Sequence, residues 1–248
     1  MNHEPDICLT GQEVTEFAST CWSLVLNASA ASDDTAVALQ RLCETYWYPL
    51  YAYARRSGRN QHDAMDLTQG FFTQLLENRG LASVQPEKGR FRSFLLASLK
   101  NYIRNDYRDR KTQKRGGHVL VCSMGEYDLE GTYQSRIASQ DTAETIFERE
   151  WAESMLNRVL EQMREDYTNA GRKELFDALH SYLVANEERL PQARIAAQLG
   201  LSVPAVKMSI RRMRNHYGKL LREEVARTLE SHEDVDDELN RMIRNIQR

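Results

Sequence analysis

Cysteine is scarce in this sequence, long apolar runs are absent, and each absence excludes a class of protein. No pair of cysteines forms a C-x-x-C motif or has a histidine at ligand spacing, so neither a zinc site nor a disulfide framework is indicated. No stretch approaches the roughly 18 apolar residues of a membrane span, and the N-terminal MNHEPDICLT does not resemble a signal peptide. We therefore expect a cytoplasmic protein without a membrane partner. The widely spaced cysteines are Cys8, Cys21, Cys43 and Cys122.

Signatures of catalysis are missing as well. The 6 histidines are scattered along the 248 residues. The sequence contains no phosphate-binding loop, no nucleophile–base pairing and no metal-ligand spacing. We expect no enzymatic activity and no cofactor.

Charge is plentiful but unevenly distributed. Charged residues make up 28% of the chain, yet the formal net charge is only −3. Basic clusters lie at 100–115 and 203–222, and acidic clusters lie at 63–77 and 230–238. Such segregation indicates separate surfaces, some for nucleic acid and some for a basic protein.

The stretch 192–221 predicts two helices joined by a tight turn. Gly200 suits the left-handed C-cap of the first helix, Ser202 suits the N-cap of the second, and Pro204 falls in its first turn. In the second helix an apolar stripe is flanked by a cationic stripe that contains Lys207 and Arg211. This pattern is typical of a helix-turn-helix whose second helix enters the major groove. The alternative is an ordinary helical hairpin with a solvated basic face.

Two earlier helices carry opposite charge patterns. The helix over His62–Glu77 has a broad apolar arc opposite a narrow acidic stripe, which indicates either a ridge for a basic partner helix or a solvated face. After a loop, the helix from Phe91 to about Lys111 interleaves Tyr102 and Tyr107 with lysines and arginines. Aromatic rings among cations suit stacking on unpaired bases, although a solvated basic helix is the alternative.

The pattern predicts an all-α fold of two small helical domains joined by a flexible linker. Pro49 interrupts the helical period of 35–56, which predicts a kink or a split helix. A short ordered piece is expected at His118–Cys122 within the linker. The C-terminal segment ends in an amphipathic helix that packs back on the domain or binds a partner. The predicted boundaries are an N-terminal extension over 1–31, domains over 32–115 and 146–229, a linker over 116–145, and an acidic extension over 230–248.

The motifs DAMDLTQGFFTQLLE, KGRFRSFLLASLKNYIRNDYRDRKTQKRGG and GLSVPAVKMSIRRMR, in this order, resemble those of bacterial RNA polymerase sigma factors of the extracytoplasmic-function type. The resemblance covers roughly residues 20 to 228. The phrases CWSLVL, YWYPLYAYARR and FRSFLLASLK are most similar to a branch that is often associated with Ser/Thr kinases. The first domain then corresponds to sigma region 2 and the second to sigma region 4.

This resemblance implies three binding surfaces. In region 2, one helix docks on a coiled coil of the clamp of core RNA polymerase through Asp63, Asp66, Gln69 and Glu77. The next helix and the loop before it bind the −10 promoter element and hold a flipped base, through Lys88, Arg90, Arg92, Lys100, Asn101, Arg104 and Arg108. Region 4 reads the −35 element through Pro204, Ala205, Lys207, Met208, Arg211 and Arg212. A Ser/Thr kinase or an anti-sigma factor is a further expected partner.

Two positions depart from the family pattern, because Met65 and Gly70 stand where glutamates are usual. Glycine weakens a helix by about 0.5–1 kcal/mol relative to alanine. We hypothesise that clamp binding is weak and is supplemented, with phosphorylation of Thr68 as one route. A half-buried core threonine is the interpretation we favour for that residue. A Gly70→Glu variant is expected to bind core polymerase more tightly.

The expected function is to direct core polymerase to specific promoters and to assist their opening. The alternative is a stand-alone helix-turn-helix regulator, which would need neither the acidic stripe nor the two tyrosines. Pull-down with core polymerase separates the two.

Overall fold

The computed structural model describes residues 33–77, 90–110, 129–136, 141–184, 189–229 and 234–247, and throughout this part of the chain the regular structure is helical. A 3₁₀ turn over His180–Tyr182 follows the sixth helix. The α-helices are α1 (Asp33–Arg56), α2 (Gln61–Glu77), α3 (Phe91–Arg110), α4 (Leu129–Arg136), α5 (Ala143–Asn169), α6 (Lys173–Leu179), α7 (Gln192–Leu199), α8 (Val203–Ala226) and α9 (Val235–Ile246).

Helix α1 passes through Pro49 as one continuous helix. Of the two outcomes predicted for this proline, a kink or a split, the split is therefore wrong. A proline inside a helix removes one backbone hydrogen bond. Packing offsets that loss here, because Leu42, Tyr46 and Leu50 are almost fully buried on one face of the helix. Each such side chain stabilises the fold by about 1.5–3 kcal/mol when it leaves water.

A larger core joins the first four helices to parts of α5, α8 and α9. Its buried members include Tyr51, Leu99, Trp151, Val225 and Met242. The N-terminal half of α5, with Phe147, Trp151 and Met155, therefore packs in the same core as α1. In this arrangement the core extends across the boundary predicted at residue 145.

A smaller core lies at the other end of α5. There Met163 and Phe176 pack against Ile195 of α7 and against Val206 and Ile210 of α8. Helices α5 and α6 thus supply the core on which this hairpin packs. Helices α5 and α8 run between the two cores in opposite directions. Arg158 in the middle of α5 pairs with Glu224 in the last turn of α8, with 2.8 Å between Arg158 Nε and Glu224 Oε1.

Two elements differ from, or extend, the sequence prediction. Helix α4 lies inside the segment predicted as linker, and Glu130 anchors it to α1 through a hydrogen bond of 2.9 Å from Arg55 Nε. Helix α9 packs back on α5 and α8, as the first of the two options for this segment predicted. The piece expected at His118–Cys122 lies outside the described residues.

Candidate nucleic-acid interface

Two arginines at the start of α3, Arg90 just before the helix and Arg92 in its first turn, share one buried carboxylate. Arg90 Nε lies 2.5 Å from Glu238 Oε2, and Arg92 Nη1 contacts Glu238 Oε1. The side chain of Glu238 is 0% exposed and that of Arg92 is 3% exposed. A buried charge is tolerated only when it is paired, so the three groups form one unit.

Arg92 is also held from α5. Its Nε donates a hydrogen bond of 2.7 Å to Glu148, and its guanidinium carbon lies 4.4 Å from the centre of the Trp151 ring. Burial lowers the pKa of the Arg92 guanidinium, whereas the carboxylate of Glu148 acts to raise it. Arg92 therefore lies in the interior of the protein. The sequence predicted Arg92 as a DNA contact but did not predict its burial.

The later cations of α3 are more accessible. Lys100 Nζ lies 2.7 Å from Glu144 Oε1, in an ion pair at the surface. Asn101 and Arg104 are exposed. Arg108 belongs to α3, and Lys88 lies outside the described residues. Among the predicted −10 residues whose side chains the structure describes, Arg90, Arg92 and Lys100 are engaged by carboxylates, whereas Asn101 and Arg104 face solvent.

The side chain of Tyr102 packs against α2, and its position there explains why α2 has a glycine at this point. Its ring centroid lies 5.9 Å from that of Phe71, and its side chain is half-buried. A Cβ atom at Gly70 would collide with the Tyr102 hydroxyl. Gly70 is therefore a point of close approach between α2 and α3, besides lacking a carboxylate. A Gly70→Glu side chain has to displace the phenol before it reaches the acidic stripe.

The acidic stripe of α2 starts with a cap. Asn60 Oδ1 accepts a hydrogen bond of 2.8 Å from the Asp63 amide, and Asn60 Nδ2 donates one of 2.8 Å to the Asp63 carboxylate. Asp66 is exposed and lies 3.1 Å from His62 Nδ1. Gln69 is half-buried, and Glu77 ends the helix.

Thr68 is fully buried within α2. Its hydroxyl donates a hydrogen bond of 2.7 Å to the carbonyl oxygen of Ala64. A kinase has no access to this hydroxyl in the observed packing, so the contacts favour a core threonine over a phosphorylation site.

Helices α7 and α8 meet at a turn whose caps follow the sequence prediction. Gly200 has φ 66°, in the left-handed region, and its amide hydrogen-bonds to the carbonyl of Ala196. Ser202 caps α8 by accepting a hydrogen bond of 3.3 Å from the Ala205 amide. Buried Val206 and Ile210 fix which face of α8 turns outward. Of the predicted −35 residues, Ala205 is half-buried and the others are exposed, namely Pro204, Lys207, Met208, Arg211 and Arg212.

The residue that the sequence prediction missed is Glu238. It lies three positions after Val235 and four before Met242, which is the spacing of the buried face of α9. Arg92 likewise precedes Leu95 by three residues and Leu99 by seven. An acid and a base, each on an apolar face, are the signal that could have revealed the pair.

Within the described ranges, no cluster of three or more histidine, cysteine, aspartate or glutamate side chains is suited to hold a metal ion. The helices seen there are also too short or too polar to cross a bilayer.

Comparison with known proteins gives one family match, to a segment in the first half of the chain. Residues 42–113 match the family model of sigma-70 region 2. This segment begins within α1 and includes α2 and α3, and thus the acidic stripe and the cationic first turn. Neither the curated proteins nor the solved structures gave a match.

Proposed function

We propose, from the sigma-70 region 2 domain that makes this chain an RNA polymerase sigma factor, that promoter recognition is divided between α3 and α8. A sigma factor directs core RNA polymerase to promoters and assists their opening, and it has no catalytic activity of its own. That is the function of this chain. The single observation that carries it is the match over residues 42–113.

Docking on core polymerase is assigned to the acidic stripe of α2. Its carboxylates include the exposed Asp66, and the stripe contains no lysine or arginine. A basic coiled coil of the polymerase clamp has the complementary charge. The contact residues that we propose are Asp63, Asp66, Gln69 and Glu77.

Contact with the −10 element is assigned to α3 and the loop before it. Exposed Asn101 and Arg104 are available without rearrangement. We add Arg108 and Lys88 to the proposed contacts on the resemblance in sequence alone. Lys100 has to exchange Glu144 for a phosphate, which is a small change for an exposed ion pair. Arg90 and Arg92 require the release of a buried carboxylate.

Contact with the −35 element is assigned to α7 and α8 acting as a helix-turn-helix of the sigma region 4 kind. The caps at Gly200 and Ser202 support this proposal, as does the outward face of α8, where two arginines and one lysine surround the exposed Met208. Lysine and arginine contacts to phosphate position the helix, whereas contacts to base edges give specificity. The apolar tip of Met208 suits the methyl group of a thymine.

The order of the two units supports assignment to the extracytoplasmic-function type, in the branch associated with Ser/Thr kinases. We place the chain in the cytoplasm with core polymerase and promoter DNA as partners, and with a kinase or an anti-sigma factor as a regulator.

Reconstitution tests the function directly. The full chain is mixed with core RNA polymerase, and the complex is assayed by run-off transcription on a library of promoter fragments. We expect transcripts from a defined subset of fragments, and none without the chain. An Asp66→Lys variant should lose at least about tenfold in affinity for core polymerase because it places a cation in the stripe.

The matched control for this variant is Gln61→Lys, which adds a cation to the same helix at an exposed position outside the stripe. It should bind core polymerase as the parent chain does. Equal binding by Asp66→Lys and Gln61→Lys would refute the docking surface. Absence of any complex between the parent chain and core polymerase would refute the assignment as a sigma factor.

A further inference from the structure

Helix α9 brings a carboxylate into the interior of the protein. Most acids of this segment are exposed, as Asp236 and Asp237 are, but Glu238 is 0% exposed. It contacts both Arg90 and Arg92, and Arg92 also contacts Glu148 and Trp151 of α5. Burial of a carboxylate is costly unless its partners satisfy it, so this contact is specific rather than incidental.

The rest of α9 holds Glu238 in place. Met242 is buried in the larger core, and Asn245 Nδ2 donates a hydrogen bond of 3.3 Å to Glu148. Asp236 lies 2.9 Å from Arg222 of α8. Just before α9, the carbonyl of Thr228 accepts a hydrogen bond of 3.4 Å from the amide of Phe91. The C-terminal segment thus lies against the N-terminal end of α3.

The N-terminal end of α3 has the chemistry of an anion site. Its first turn contains no acidic residue, and the amides of a helix start carry partial positive charge. Two guanidiniums converge on the same point, and guanidiniums bind carboxylate and phosphate oxygens in the same geometry. Glu238 supplies those oxygens from within the chain.

We propose that Glu238 occupies the position of a nucleic-acid phosphate, so that α9 and promoter DNA compete for Arg90 and Arg92. The inference rests on the proposed role of α3 in DNA binding and adds to it an internal competitor. DNA gains the two arginines only when α9 leaves α3. Helix α9 therefore restrains DNA binding by the free chain.

The test measures binding of the full chain to a fluorescently labelled pool of random single-stranded oligonucleotides, by anisotropy at several salt concentrations. Glu238→Gln removes the competing charge and should tighten binding about tenfold. The slope of log affinity against log salt should steepen by about 1.4, because two further phosphates are contacted at about 0.7 each. Asp237→Asn removes the same charge from an exposed position of α9 and should stay within twofold of the parent chain.

A second measurement does not depend on any variant. Hydrogen exchange of the parent chain is followed with and without a saturating amount of the pool. Faster exchange of the amides of 235–246 on DNA binding supports competition, and unchanged protection in the bound chain overturns it. This readout decides the question even if Glu238→Gln fails to fold.

The outcomes separate the two proposals. If the parent chain binds the pool and Glu238→Gln binds no better than Asp237→Asn, the competition is refuted while the role of α3 stands. If neither the parent chain nor Glu238→Gln binds the pool at any salt concentration, the role of α3 in DNA binding falls and the competition falls with it.

Discussion

Helices α3 and α8 both carry rows of cations, but carboxylates engage the first cations of α3 and leave the first cations of α8 exposed. Arg92 is 3% exposed between two carboxylates, and Lys100 is paired with Glu144. Lys207, Arg211 and Arg212 are exposed and, among the residues that the structure describes, have no carboxylate partner. The two helices look alike in charge count and differ in what their charges contact.

The difference lies in which acids the fold brings close. Glu144, Glu148 and Glu238 reach α3 from α5 and α9, which are distant in the chain. Around Lys207, Arg211 and Arg212 the fold places no comparable acid among the described residues. The carboxylate of Asp236 contacts α8 at Arg222, towards the C-terminal end of that helix. Affinity for a polyanion therefore depends on the free cations rather than on the total number of cations.

The largest expected effect is on the free energy of unfolding, and it distinguishes a cation of α3 from a cation of α8. Arg92→Ala leaves Glu238 and Glu148 without their shared partner, and removal of one member of a buried ion pair costs about 3–5 kcal/mol. Arg211→Ala removes an exposed side chain and should change the free energy of unfolding by less than about 0.5 kcal/mol. Denaturant unfolding of both variants measures the contrast. A loss below about 1 kcal/mol for Arg92→Ala would contradict the buried pairing.

The next effect is on the salt dependence of DNA binding, and it tests which cations contact phosphates. The double variant Arg211→Ala/Arg212→Ala should reduce the salt dependence of binding to a random duplex by about 1.8 in slope, at about 0.9 per phosphate contact. The double variant Arg172→Ala/Lys173→Ala removes equal charge from an exposed turn and serves as the control. Equal slopes for the two double variants would exclude α8 as the DNA-binding helix.

A smaller effect tests the contact between α2 and α3. Alanine stabilises a helix relative to glycine by about 1 kcal/mol, but at Gly70 the added Cβ meets the Tyr102 hydroxyl. Gly70→Ala should therefore stabilise the chain by about 0.5–1 kcal/mol in a Tyr102→Phe background and by less in the parent. Thermal unfolding of the four proteins gives the coupling between the sites. The same gain in stability in both backgrounds would contradict the steric role that we assign to Gly70.

The smallest effect is on the stability of the fold at low pH. The hydrogen bond from Arg55 lowers the pKa of Glu130 to about 2. The pair therefore stabilises the fold above the unfolded pKa of about 4.3, and this contribution is lost as the pH falls towards 2. Glu130→Gln should lower Tm by about 2 °C at pH 7 and by less at pH 3. A difference in Tm that is equal at the two pH values would contradict the pairing.

Local chemistry explains what the sequence predicted well. Gly200 and Ser202 determine the ends of α7 and α8 through their own backbone and side-chain preferences, and both were read correctly. The helical period of α2 is long and unbroken, so its bounds were close to those observed. These features depend on neighbours within one or two turns.

Long-range contacts explain what the sequence could not give. Helix α4 has only 8 residues and is held by Glu130 against Arg55, which precedes it by 75 positions. The periodicity of α5 predicts an apolar face but not that α1 covers it. The burial of Arg92 depends on a carboxylate from the last helix, whose position follows from the tertiary fold alone.

Helices α5 and α8 each supply side chains to both cores, as Trp151 and Met163 do from α5. In this arrangement, neither core can unfold without removing packing contacts from the other core. Calorimetry of the free chain should therefore record a single cooperative heat-absorption peak, with no earlier shoulder from the hairpin of α7 and α8.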